Sequence, residues 1–306
     1  MRILVLGAGG IGGYFGGRLA AGGVDVTFLV REKREAALAA SGLRIRSEMG
    51  DLELPVSTVT SATVGPGYDA ILVSCKAYDL ADAVESLRPA APGALIVPLL
   101  NGIRHLDVLD AAFGADAVCG GVAAIGVTLD DDGSIRHFGK GQSYSHGARV
   151  AGQAARCAAL AEEMQKGGFA PRDSETIMQD MWEKFVFITT AAGTACLMRG
   201  AIGAIARTQE GSLVLMEMYG ECAAVAEAAG FAPRARHAEF ARTGFSDKTN
   251  GNVPSMLRDL QRGFRVEAEH LVGDMLSRAK ALGRPSPLLR AAYTHLQVYQ
   301  ESLAKG

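Results

Sequence analysis

The sequence predicts an α/β protein in two parts: a doubly wound parallel sheet over residues 1–172, then an all-helical domain over 173–306. Three observations carry this. The chain opens on an apolar strand that turns through glycines into a helix. Short apolar strands then alternate with helical stretches. From about Glu175 onward the apolar residues recur at helical spacing, with Pro171 close to the change.

Ile3–Leu6 is continuously apolar, as a central parallel strand buried on both faces must be. Gly7-Ala8-Gly9-Gly10-Ile11-Gly12 follows and matches Gly-x-Gly-x-x-Gly, a helix continues through Ala20, and Val24–Val30 forms a second strand. In that Rossmann-type context Gly7 makes the tight turn, Gly9 lets the backbone approach a pyrophosphate, and Gly12 lets helix and strand pack closely. The helix N-terminus, with its free N–H groups, faces the phosphates. A glycine-rich surface loop is the duller alternative, and the strand before, the helix after and the second strand about twenty residues on argue against it.

The second strand ends in Arg31, followed by Lys33 and Arg34. NAD- and FAD-binding versions carry an acid there to accept from ribose hydroxyls; a guanidinium cannot accept, but it grips a 2′-phosphate. Arg31 therefore points to NADP(H), whereas Lys33 and Arg34 singly read as a solvated helix start.

Leu43–Arg46 and Leu52–Val56 predict a hairpin around Met49-Gly50-Asp51. Asp69–Cys75 and Ala94–Leu100 are further strands, ending in Lys76 and Asn101, and ligands of such sheets sit beyond strand carboxyl ends. Gly120–Val127, Ser134–Phe138 and Ser143–Gly147 read as antiparallel additions to the sheet, with Asp130–Gly133 as a turn. Helical periodicity then runs through Trp182–Leu197, Leu213–Ala229, Pro254–Leu260, Glu267–Leu282 and Leu288–Leu303. The default active site of such a chain is the cleft between its two domains.

Composition removes several function classes. Hydrophobic residues make up 48% and charged residues 21%, which fits a folded protein. The 31 basic and 33 acidic residues leave a net charge of −2, so no global basic field serves nucleic acid or a membrane surface. Phe185–Met198, interrupted by threonines and a glycine, is short for a membrane span and reads as a buried helix. No signal-like leader precedes the first strand, and five scattered cysteines without a Cys-x-x-Cys pair predict reduced thiols in a cytoplasmic protein. The six histidines show no metal-ligand spacing, so no metal is expected.

Two stretches of the helical half carry chemistry. Lys184, in "MWEKFVF", sits among Trp182, Phe185 and Phe187, and desolvation lowers a lysine pKa toward that of a usable proton donor. Composition alone favours a lysine with a buried stem and a wet head. In "NVPSMLRDLQRGFRVEAEHL", Asn252 and Ser255 bracket Pro254, a proline suited to a first helical turn. In one continuous helix Ser255 and Glu267 would lie about 18 Å apart, too far to share a small molecule. Gly263 predicts a helix end between them that would bring the two together. Taken singly, Ser255 and Glu267 read as a helix cap and a solvated acid.

GAGGIG, Arg31, "CKAYD" around Lys76, "LLNGI" around Asn101, "WEKF" and "NVPSMLRDL…RVEAE" together resemble the ketopantoate reductase (2-dehydropantoate 2-reductase) family, over nearly the full length. The resemblance implies a cytoplasmic reductase that uses NADPH to reduce the 2-keto group of a 2-keto acid, on the way to pantothenate and coenzyme A. It implies Lys184 as general acid, Glu267 as the carboxylate ordering that lysine and the substrate hydroxyl, and Ser255, with Asn252, as substrate-binding. It also implies Lys76 and Asn101 as holding cofactor and substrate, and Arg31 as the 2′-phosphate ligand. One departure stands out: the family's substrate-facing asparagines one and two turns past the lysine are here Ile188 and Ala192, which makes that part of the pocket apolar. The expected partner is a small-molecule 2-keto acid, with no nucleic acid and no membrane; a homodimer stays open. Two further readings remain open, a reductase of this architecture for a less polar 2-keto acid and an NADPH-holding sensor without turnover. Retained Lys184 and Glu267 argue against the sensor.

Overall fold

A computed structural model describes residues 1–304. These form two compact units: Met1–Leu100 with His105–Ile177, and Asn101–Arg104 with Met178 onward. The division predicted at 172/173 falls inside a short strand, Pro171–Asp173, that pairs within the first unit.

In chain order the first unit contains β1 (Arg2–Leu6), α1 (Gly10–Ala21), β2 (Asp25–Leu29), α2 (Glu32–Ser41), β3 (Leu43–Arg46), β4 (Leu52–Leu54), β5 (Ser57–Val59), β6 (Ala70–Val73), α3 (Leu80–Leu87) and β7 (Leu95–Pro98). It continues with α4 (Arg104–Phe113, whose first residue groups with the second unit), β8 (Gly120–Leu129), β9 (Ile135–Gly147), α5 (Ala154–Met164) and β10 (Pro171–Asp173). Strands β5-β2-β1-β6-β7 make an all-parallel sheet. Counted along the chain, that is the doubly wound order 3-2-1-4-5, whose reversal lies between β1 and β6. Ile3–Val5, Ala70–Val73 and Leu95–Val97 are buried on both faces, which is why they read as unbroken apolar runs.

The second sheet differs from the sequence expectation. Residues 120–129 and 135–147 do not extend the parallel sheet. They pair with each other as β8 and β9, and β9 joins β10 and the β3–β4 hairpin in a separate five-stranded sheet. The strands predicted separately at Ser134–Phe138 and Ser143–Gly147 are one, β9, which runs through Gly139-Lys140-Gly141 with Gly139 at φ +70°. The second strand of the predicted hairpin, Leu52–Val56, stops early at Leu54, and Ser57–Val59 becomes the outer strand β5 of the parallel sheet.

Helix α1 packs against both sheets, and its glycines make that possible. A Cβ on Gly16 would stand 2.7 Å from Phe28 of β2, one on Gly13 2.3 Å from Ile135 of β9, and one on Gly17 2.5 Å from Leu43 of β3. Phe15, Tyr144 and Phe169 close the core between the layers.

The second unit is helical: α6 (Ile177–Met198), α7 (Ile202–Ala206), α8 (Gly211–Ala228), α9 (Ala235–Ser246), α10 (Ser255–Gln261), α11 (Asp274–Ala281) and α12 (Pro287–Leu303). Helices α7 and α9 are not foreseen in the sequence, where glycines or arginines interrupt the apolar spacing. Most of the Phe185–Met198 stretch is buried in α6, and no described helix is long and apolar enough to cross a membrane. The single helix predicted for Glu267–Leu282 is instead a π-helical turn, Glu269–Gly273, running into α11.

Candidate active site

The glycine turn leaves β1 at Gly7, whose φ of +93° only glycine adopts without strain, and whose N–H donates to Leu29 O at 3.0 Å. Gly9 caps α1 without a side chain, and no acid occupies the first turn. The neighbouring glycines are constrained differently. A Cβ on Gly12 would lie 2.1 Å from Ser74 Oγ and 2.2 Å from Gly7 O, whereas one on Gly9 would meet nothing within 4 Å. Gly12 thus serves packing, while the space over Gly9 and the open helix start suit the phosphates of a dinucleotide. Ser74, at the end of β6, donates its hydroxyl to Leu6 O at 2.8 Å and fixes the two central strand ends side by side.

Arg31 lies just past β2, with its side chain 77% exposed, and Nη2 stands 3.3 Å from Asp79 Oδ1. Arg34 corrects the sequence reading. It is not a solvated helix-start residue: it is half-buried, Nη2 donates to Ala8 O at 3.0 Å and Nη1 to Gly133 O at 3.1 Å. It braces the glycine turn against the Asp130–Gly133 turn; its position one helical turn past Arg31 is the only sequence signal for that role. Lys76 is half-buried at the start of the 3₁₀ turn Ala77–Asp79, past the end of β6.

In the helical unit, Lys184 is held in the second turn of α6. Burial is the main influence on its ammonium and lowers its pKa to about 8, while the charge of Glu267 pulls in the opposite direction. Neighbouring Glu183 is anchored by Arg234, which also pairs with Asp180, so both buried acids of the first turns are compensated. Trp182 stacks on Phe231 with ring centroids 5.7 Å apart, completing a rigid apolar seat for this part of α6. Ile188 is half-buried and Ala192 buried.

The chain does break between Ser255 and Glu267. Helix α10 ends at Gly263, φ +74°, where Phe264 N–H donates back to Asp259 O at 2.9 Å. Glu267 follows in non-helical backbone, and its carbonyl accepts from Leu271 N–H at 3.1 Å. Pro254 precedes α10 and does not lie in its first turn, so Ser255 is the first helical residue rather than a cap. Ser255 and Asn252 are exposed, and the Asn252 carbonyl accepts from Ile202 N–H at 3.1 Å. Asn101, past the end of β7, is half-buried and groups with the helical unit. His270 donates to its backbone carbonyl, and neither His270 nor Arg104, which pairs with Glu269, was marked out by the sequence.

One other group of metal-capable side chains occurs in the first unit: ligand atoms of His146, Cys157 and Asp173 lie within 4.8 Å of one another. His146 Nε2 already donates to the Cys157 carbonyl at 2.8 Å.

Residues 3–148 match the family model described as ketopantoate reductase PanE/ApbA, and residues 176–300 match its C-terminal partner. This chain belongs to the ketopantoate reductase family. It is therefore an oxidoreductase, and the family is one of nicotinamide-dependent reductases acting on small keto acids. An uncharacterized oxidoreductase, YkpB, of Bacillus subtilis is 35% identical over 302 residues, 98% of this chain and 99% of that protein. The 2-dehydropantoate 2-reductase of Halobacterium salinarum is 30% identical, covering 95% of this chain and 96% of its own. Among solved structures, 2-dehydropantoate 2-reductase from Methylococcus capsulatus superposes with a TM-score of 0.87 at 29% identity, covering 100% of this chain and 99% of the other.

Proposed function

We propose that this ketopantoate reductase family member reduces a 2-keto acid to the 2-hydroxy acid with NADPH, the substrate being ketopantoate or a paralogous acid with a less polar tail. The observation that carries the reading is Lys184: a lysine desolvated to a pKa of about 8, within the electrostatic reach of Glu267, on a chain whose first unit offers a dinucleotide cradle. The amides of Gly9 to Gly12 would hold the pyrophosphate, Arg31 the 2′-phosphate, and Lys76 the nucleotide beyond the strand ends. When bound, the dinucleotide supplies hydride from C4 of its nicotinamide.

The remaining chemistry belongs to the chain. Lys184 Nζ donates a proton to the carbonyl oxygen as negative charge grows there, and the resulting neutral amine is tolerable because the site is already desolvated. Glu267 keeps the ammonium charged and oriented until that moment and accepts from a substrate hydroxyl. Ser255, Asn252 and Asn101 supply donors to the keto acid carboxylate and carbonyl. Ile188 and Ala192 offer methyl groups where a polar tail would need amides.

The five cysteines are free thiols, which suits a reducing cytoplasm. A non-catalytic NADPH sensor is disfavoured by the retention of the lysine–glutamate pair. The test is NADPH consumption by the purified protein with ketopantoate and a panel of other 2-keto acids. Turnover of at least one is the expected result, and NADPH binding without turnover of any would establish the sensor.

A further inference from the structure

Asn101 follows β7, yet it and the next three residues are part of the helical unit. Two contacts explain this. The imidazole of His270, 8% exposed, donates to the Asn101 backbone carbonyl. Arg104 Nη1 donates to Glu269 Oε1 at 3.0 Å, and the other oxygen of that carboxylate accepts from the Tyr293 hydroxyl. Between these two points Gly102 adopts φ +76° and passes so near that a Cβ would lie 3.0 Å from the His270 carbonyl.

Both anchors, Glu269 and His270, open the π-helical turn that begins two residues after Glu267. A π-turn inserts one extra residue into a helix and redirects the side chains around it, and such turns recur at functional sites. Here it brings the side chains of Glu269 and His270 onto the 101–104 segment while Glu267, on the same stretch of backbone, acts on Lys184. The Arg104–Glu269 pair is largely solvent-exposed, 47% and 62%, and such pairs are weak. The His270 contact, by contrast, is buried from water, and Gly102 packs against the same residue.

We infer that His270 is a positioning residue for this reductase: it fixes Asn101 relative to Glu267 and Lys184, so that the keto acid meets its donors in one geometry. The inference rests on the 2-keto acid reductase reading. His270 itself takes no part in proton transfer.

The test uses the full-length protein carrying His270→Ala, His270→Gln or Gly102→Ala. It reads kcat and KM for a reducible 2-keto acid and the amide hydrogen exchange of residues 101–104. His270→Ala should lower kcat/KM by about 10- to 10²-fold, the usual consequence of slight misplacement of a reacting group, and should speed exchange at 101–104. His270→Gln, whose amide can still donate, should recover most of both. Should His270→Ala fail to fold, Gly102→Ala pushes the same segment away from the His270 carbonyl and gives the same two readouts. Unchanged kcat/KM and exchange in His270→Ala would overturn the proposal, as would a loss that His270→Gln does not repair. A wild-type protein that reduces no 2-keto acid would instead sink the functional reading, while the exchange arm still tests the clamp.

Discussion

A lysine that releases its proton near pH 8 can hand it to a developing alkoxide at neutral pH, and an ordinary surface lysine cannot do so efficiently. Lys184→Ala should therefore lower kcat by about 10²- to 10⁴-fold while leaving NADPH affinity close to that of the wild type. The sign of the pH dependence follows from the role proposed for Lys184. Reduction needs the ammonium, so kcat should be flat below about 8 and fall as pH rises through it. Oxidation of the hydroxy acid needs the neutral amine, so its rate should rise across the same interval, and Lys184→Ala should remove both inflections. At the proposed NADPH site, the exposed Arg31 could turn from Asp79 to a 2′-phosphate. A charge-assisted hydrogen bond is worth about 1.5–3 kcal/mol, so Arg31→Ala should weaken NADPH binding about tenfold or more and leave NADH binding nearly unchanged. Equal affinity of the wild type for the two cofactors would remove Arg31 from this role.

At the level of elements, the glycine turn separates packing from the phosphate binding proposed for it. Gly9→Ala keeps an extended backbone that alanine adopts freely and adds a methyl group into open space. It should fold with an unchanged Tm and lose dinucleotide affinity at least tenfold, read by titration of NADPH fluorescence. Gly12→Ala drives its methyl group into Ser74 Oγ and Gly7 O and should lower Tm, since overpacking costs about 1–3 kcal/mol. If Gly9→Ala bound NADPH normally, the turn would not be a phosphate cradle. The elements also show why the sequence was legible in some places and opaque in others. The central strands β1, β6 and β7 declared themselves because burial on both faces leaves only apolar residues. The end of α10 declared itself through Gly263, the one residue there that takes φ +74° at no cost. The second sheet did not, because Gly139 and Gly141 break the alternation of β9 in sequence without breaking the strand in space. The π-turn was invisible for a similar reason: its register shift depends on what Glu269 and His270 touch, and Asn101 and Arg104 lie well over a hundred residues away in the chain.

For the molecule as a whole, the question is which keto acid it takes, and the departure on α6 bears on it most directly. Ketopantoate carries a terminal hydroxyl that must lose its water on binding. Where the family resemblance leads one to expect amides, this chain presents Ile188 and Ala192, half-buried and buried on the helix that bears Lys184. A hydroxyl desolvated against them without a partner costs about 1–3 kcal/mol. A pocket built to hydrogen-bond a substrate group rejects the analogue lacking it strongly, whereas an apolar pocket separates substrates by only about 10- to 200-fold per methylene-sized change. The expected profile is therefore broad, with 2-ketoisovalerate and longer alkyl or aryl 2-keto acids ahead of ketopantoate in kcat/KM. Ile188→Asn with Ala192→Asn should shift the ratio toward ketopantoate by about tenfold or more, one hydrogen bond's worth. The measurement is kcat/KM for each acid at saturating NADPH, in wild type and double variant. A wild type that already prefers ketopantoate would mean that other side chains meet the hydroxyl, and the apolar-tail specificity assigned to Ile188 and Ala192 would be wrong.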